Sequence, residues 1–180
     1  MSKFWFSSDL HMGHENIISY CNRPFKSLEE MDAVLIRNWN QRVSQTDLVF
    51  HLGDFCFKNG PGGKPGEGVP IKSDFYEKQL NGKIIQLCGN HDSHNTVKTI
   101  ISSIEIMFGG RNIRLIHNPI AYEQGKLNLC GHVHEKWVIT WADPETPIVN
   151  VGVDVWNFMP ISINEILSVV SRNPYRKSEP

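Results

Sequence analysis

A chain of 180 residues, 40% hydrophobic and 21% charged, has the size and make-up of one globular domain with a sizeable core. A formal net charge of −1, with no basic cluster interleaved with aromatics, argues against a long nucleic acid as the main partner. The apolar start is stopped at Ser7, Ser8 and Asp9, too early for a signal peptide, and no later run approaches membrane-spanning length. Cys21, Cys56, Cys88 and Cys130 form no C-x-x-C pair. They read as small buried thiols in a reducing cytoplasm.

In chain order, residues 3–8 are expected as a first strand, 9–14 as a loop and 15–21 as a helical turn. Pro24 forces its predecessor out of helix, and Ser27 with Glu30 makes a capping box. Met31, Leu35, Ile36, Trp39 and Val43 then follow at helical spacing, one face for a sheet. After a turn at 45–47 comes a buried strand ending in Gly53 and Asp54. Residues 58–70 are a Gly/Pro-rich loop leaving the strand end directly, either a lid or an inert insertion. Next are a helix over 73–80 stopped at Asn81-Gly82, a strand over 83–88 and a helix over 94–101. Strands over 104–108 and 112–117 meet at a Gly109-Gly110 hairpin turn. Strands over 127–130, 137–141 and 148–153 follow, the last two turning at Asp143-Pro144, then a closing helix over 162–170. The single domain spans 1–172, with a polar tail over 173–180.

A pattern recurs along this order: an apolar run climbs and stops at a residue able to hold a metal. The runs end at Asp9 and His11; at Asp54; at Asn90, His91 and Asp92; at His117; and at His132 and His134. Buried strands delivering oxygen and imidazole groups at the same end converge on one site. Two aspartates, an asparagine and four histidines, without thiolate, suit borderline to hard divalent ions. Seven side chains are too many for one ion and fit two when a carboxylate is shared. Such a site is net cationic and attracts phosphate.

In type and order, Asp9-x-His11, Gly53-Asp54, Gly89-Asn90-His91-Asp92, His117 and Gly131-His132-x-His134 resemble the motif set of calcineurin-like metallophosphoesterases. Residues 9–16 and Asn150-Val-Gly-Val-Asp-Val-Trp156 further resemble small bacterial and phage members. The resemblance implies an α/β fold of two packed mixed β-sheets flanked by helices; alternating strands and helices alone would also allow a doubly wound sheet. It places Asp9, His11, Asp54 and His134 on one ion, and Asp54, Asn90, His117 and His132 on a second. Manganese is the leading metal, with iron, zinc, nickel or cobalt also suited. A metal-bridging hydroxide then attacks a phosphate ester, and His91 steadies a phosphate oxygen and protonates the leaving group, with Asp92 beside it orienting His91 or holding the turn. The chain departs from the pattern after Asp54: Phe55, Cys56 and Phe57 stand where a polar helper is usual, leaving Lys58 as a stand-in. His14, Arg23 and Asn118 are the candidates to contact substrate. His51 is read as a structural hydrogen bonder, and Trp156 and Phe158 as core. The expected substrate is a small nucleotide-type phosphodiester or monoester, with a nucleotide 5′-phosphatase as alternative and a non-catalytic metal-stabilised scaffold as the second.

Overall fold

The computed structural model describes residues 3–57, 72–92, 97 and 99–172. Two sheets form its centre. The first has the order β3-β2-β1-β9, from β1 (Phe4–Ser7), β2 (Leu48–His51), β3 (Lys83–Gln86) and the short β9 (Ile161–Ser162). β1, β2 and β3 run parallel, and β9 closes the other edge antiparallel, pairing Phe6 with Ile161. The second sheet has the order β4-β5-β6-β8-β7, from β4 (Ser103–Phe108), β5 (Arg111–Ile116), β6 (Leu127–Cys130), β7 (Ile139–Asp143) and β8 (Thr146–Asn150). β5, β6 and β8 are parallel at its centre, with hairpin partners β4 and β7 at the edges. This is the expected sandwich of two mixed sheets, not one doubly wound sheet.

Strand alternation builds the layers. Phe6 and Phe50 join Ile113, Leu115, Leu129 and Val149 of the other sheet in one buried cluster. Trp5 and Val49, one residue earlier on each strand, join Met31, Leu35 and Trp39 on the opposite face. Those three come from α2 (Leu28–Arg42), whose buried stripe is the one read from its spacing. Ser27 caps α2 by accepting from the Glu30 amide, but the Glu30 carboxylate takes the Lys26 amide, so only half of the capping box forms. The closing α4 (Ile163–Ser171) carries a full one, from Ser162 and Glu165.

The remaining helices are one-turn pieces, α1 (Asn16–Tyr20) and α3 (Ser73–Glu77), the latter shorter than expected. Gly109 and Gly110, both at positive φ, make the β4–β5 turn. The 58–70 loop with Lys58, the polar tail and most of the 94–101 helix lie outside the described residues; Val97 and 99–101 are not helical. No described helix is long and apolar enough to cross a membrane.

Topology aims six strand ends at one region. β1, β2 and β3 on one sheet, and β5, β6 and β8 on the other, are each followed by a polar residue of the site. A bridge between Ser8 and Gly152 joins the ends of the two sheets.

Candidate metal centre

The backbone is bent to make this site. Among described non-glycine residues, Asp9, His11, Asn22, Asp54, His132, His134, Asn157 and Phe158 have positive φ, and five of these eight are sequence-predicted ligands. Left-handed backbone at such residues costs of order 1 kcal/mol or more each and survives only where the surroundings impose it. The glycines of the motifs make the room. A Cβ at Gly53, itself at φ +100°, would lie 2.6 Å from both His117 Nδ1 and the Gly89 amide nitrogen. One at Gly131 would run into Ser8 Oγ and the Asp9 carboxylate.

Asp54 sits at the middle. Its Oδ2 lies 3.6 Å from His11 Nε2 on one side and 3.4 Å from His117 Nε2 on the other. Its Oδ1 accepts the His91 amide at 2.9 Å. His117 Nδ1 lies 2.7 Å from the Leu52 carbonyl, which can only accept, so Nδ1 carries a proton and Nε2 is the nitrogen turned inward. Asn90 Oδ1 stands 2.9 Å from that Nε2 and 2.8 Å from His132 Nδ1. His117 Nε2, Asn90 Oδ1 and Asp54 Oδ2 thus converge. Burial works to lower the His117 pKa, but Asp54 and Asp9 outweigh it and push it up, so a cation here would take the place of the Nε2 proton.

The other side repeats this. One donor atom each from Asp9, His11 and His134 lies within 4.8 Å of the others. His11 Nε2 is buried and has no hydrogen-bond partner among the described residues. Burial, with Arg23 and the neighbouring histidines, holds the His11 pKa well below its ordinary value, so the ring is neutral and its lone pair available. Burial pushes the Asp9 carboxyl up. Burial also works to raise Asp54, but His117 and the His91 amide outweigh it and hold Asp54 low. The donor set, the converging ligand atoms and the orphaned His11 nitrogen all fit divalent ions.

Some expected residues are used differently. Arg23, expected to grip phosphate, is buried and fully engaged inside. Its guanidinium donates to Asp154 at 2.7 and 3.1 Å, to the Leu10 carbonyl at 3.0 Å and to the Asp9 carbonyl at 2.7 Å. It therefore braces the strained Asp9–His11 loop and has no face left for substrate. Asp92, expected beside the catalytic group, accepts the amides of Asp54 (2.7 Å), Gly89 (2.8 Å) and Phe55 (3.2 Å). It ties two motifs together as a backbone clamp. Asn118 Oδ1 accepts the Ile120 amide and starts a helical turn after His117. His51 makes no hydrogen bond among the described residues, against expectation: both ring nitrogens are buried without a partner, and burial lowers its pKa to about 3.

Two expected residues stay at the site. His14 is buried, its Nδ1 3.3 Å from His11 Nδ1 and its ring stacked on Phe57. His91 is exposed, its ring centroid 5.3 Å from that of His11.

The residue that sequence reading missed is Asp154. It lies in the Asn150–Trp156 motif but in none of the ligand positions. Its Oδ2 takes His134 Nδ1 at 3.0 Å, so His134 Nε2 is the nitrogen presented inward. Burial works to raise Asp154, but His134 and Arg23 outweigh it and keep the carboxylate charged. Cys21, Asp154 and His134 also lie within reach of one another. Asp154 is already taken by Arg23 and His134, so this group is a brace.

A two-sheet sandwich gathering these five motifs at one end is the architecture that the resemblance to calcineurin-like metallophosphoesterases implies. No protein-family model matches the chain. It is 33% identical over 177 residues to the uncharacterized protein MJ1445 of Methanocaldococcus jannaschii, covering 96% of this chain and 93% of that one. The chain belongs to the family of this archaeal protein. AQ665 of Aquifex aeolicus, a protein of unknown function, has the same fold, with a TM-score of 0.69, 24% identity, and coverage of 94% of this chain and 100% of its own. A more distant likeness is to YfcE, a phosphoesterase of E. coli, with 18% identity, a TM-score of 0.45, and coverage of 89% of this chain and 82% of its own.

Proposed function

We propose that the protein hydrolyses a small phosphate ester, of the nucleotide-type diester or monoester class, with two divalent ions held at this centre. The observation carrying this reading is the shared Asp54 Oδ2, set between His11 Nε2 at 3.6 Å and His117 Nε2 at 3.4 Å. Asp9, His11 and His134 hold one ion with Asp54; Asn90, His117 and His132 hold the other with it. When bound, such ions supply Lewis-acid charge for the phosphate oxygens and an activated water. The chain's own residues do the rest. Leu52 and Asp154 fix the tautomers of His117 and His134. The Asp54 carboxylate holds the His91 backbone in place. As the new bond from water oxygen to phosphorus forms, the bond to the leaving oxygen breaks. The water would give up a proton to bulk solvent, and His91, exposed beside the ligands, would give one to the leaving oxygen and take one back from solvent. Manganese is the metal of first choice, and the cytoplasm the expected compartment.

The test is hydrolysis of bis-p-nitrophenyl phosphate and p-nitrophenyl phosphate by metal-stripped protein, with Mn, Ni, Zn and Mg added back in turn. Metal-dependent turnover is expected, and the ratio of the two rates separates a diesterase from a phosphatase. Asp54→Ala is expected to abolish metal uptake and turnover; His91→Ala is expected to keep uptake and lose rate. Folded, metal-loaded protein inert toward both esters would sink the reading in favour of a scaffold.

A further inference from the structure

Beside the ligands lies a cleft of ≈ 300 Å³ whose use the metal centre does not explain. His11, His91 and His134 line it where it meets the centre, and Ile17, Tyr20 and Cys21 line the rest. Its two charged members, Glu135 and Lys136, offset each other. Away from the ligand end, shape and apolar surface at Ile17, Tyr20 and Cys21, more than net charge, therefore select what enters.

Its aromatic groups are set for a flat guest. His14, also in the lining, is fixed by stacking on Phe57, centroids 4.2 Å apart and planes 27° apart. Tyr20 stands edge-on to His14 at 6.2 Å and 77°, with 68% of its surface exposed. A single exposed aromatic is ordinary on a protein surface. This one borders a cleft shared with two proposed metal ligands and the proposed proton donor. A planar ring packed against Tyr20 would cover apolar surface that otherwise stays in water. The larger concavity, ≈ 720 Å³ beside β3 and Thr99, is lined by none of the ligands.

We propose that this cleft binds the leaving-group half of the substrate, and that this half carries a planar aromatic ring, as an aryl or nucleoside ester does. The proposal rests on the phosphoesterase reading, because His91 must face the leaving oxygen. It makes Tyr20 a specificity residue with no part in holding metal.

Binding of benzylphosphonate and ethylphosphonate to the manganese-loaded protein, measured by calorimetry, tests it without turnover. In each, a methylene replaces the ester oxygen. Benzylphosphonate is expected to bind roughly 10-fold tighter, in line with one aromatic contact plus its buried area. In Tyr20→Ala that preference should collapse toward parity with the ethylphosphonate affinity unchanged, and Tyr20→Phe should restore it. Equal affinities in the wild type, or a preference that survives Tyr20→Ala, would overturn the cleft's role and leave the phosphoesterase reading standing. If neither phosphonate binds the metal-loaded protein, both fall.

Discussion

The two sides of Asp54 are built differently. Asp9, His11 and His134 all have left-handed backbone, and Asp9 and His11 are buried. Arg23 holds this side by two carbonyls of the Asp9–His11 loop, and Asp154 holds both Arg23 and His134. On the other side His132 alone has positive φ, Asn90 is exposed and His132 half-buried. There the ties are the Leu52 carbonyl under His117, the Asp92 clamp on the Gly89 amide beside Asn90 and the Asp9 carboxylate on the His132 amide, without a buried arginine. Strain and bracing therefore go together. A loop bent against its preference needs fixed partners, and a buried charge pair supplies them. The open side carries less strain and leaves Asn90, and in part His132, facing solvent, while His117 stays buried.

The sharpest way to break this contrast is Asp154→Ala. It leaves the Arg23 guanidinium buried without its counter-charge, since the side chains of that pair are 0% and 2% exposed. Removing one partner of such a pair costs about 3–5 kcal/mol. Metal affinity on the braced side should drop by about 10–100-fold, as expected when a histidine loses its orienting partner. Chemical denaturation and metal titration read the two effects. A mild loss in both would mean the brace is dispensable.

A pH series comes next. Asp32 supports the braced loop from α2, accepting the Gly13 amide at 3.2 Å and the Tyr76 hydroxyl at 3.0 Å. Burial pushes its carboxyl up to about 6, although both hydrogen bonds pull it down. A carboxyl raised above its unfolded value favours the folded state when protonated. That contribution is present in full below about pH 4 and is lost as pH rises through about 6. The loss amounts to roughly 2–3 kcal/mol. Asp32→Asn should therefore gain on wild type between pH 4.5 and 7.5 in melts of the metal-free protein. A difference between the two that ignores pH would remove the assignment.

On the open side, His132→Ala should halve metal uptake while shifting the metal-free melting free energy by about 0.5 kcal/mol or less, as for other surface changes. A large destabilisation there would erase the contrast. The smallest effect is expected at His51, on β2 ahead of both sides. His51→Leu removes two unpartnered buried nitrogens and should stabilise by about 1 kcal/mol, leaving metal affinity unchanged. Loss of stability would show that the imidazole is satisfied in solution.

Much of this molecule could be read along the chain. The stripe of Met31, Leu35 and Trp39, the Gly109-Gly110 turn and the Leu127–Cys130 strand are local patterns, and each formed where its pattern lay. The ligand types were legible for the same reason: each follows an apolar run, and Asp54, Asn90 and His132 come directly after a glycine. Arg23 and Asp154 were not. They are 131 positions apart in sequence, and no local pattern distinguishes an arginine that grips a phosphate from one buried against a carboxylate.

The sequence by itself determined most of the strands, the long helix α2 and the closing α4, and which residues carry metal-binding chemistry, because periodicity and side-chain type act over a few residues. The tertiary structure decided which sheet each strand joined. It also turned Arg23 from a candidate substrate contact into an internal clamp, gave Asp92 the backbone-holding one of its two expected roles and recruited Asp154 behind His134. Those roles depend on burial and on partners brought together from distant segments, and a hydrogen bond or ion pair is defined only once both of its ends are in place.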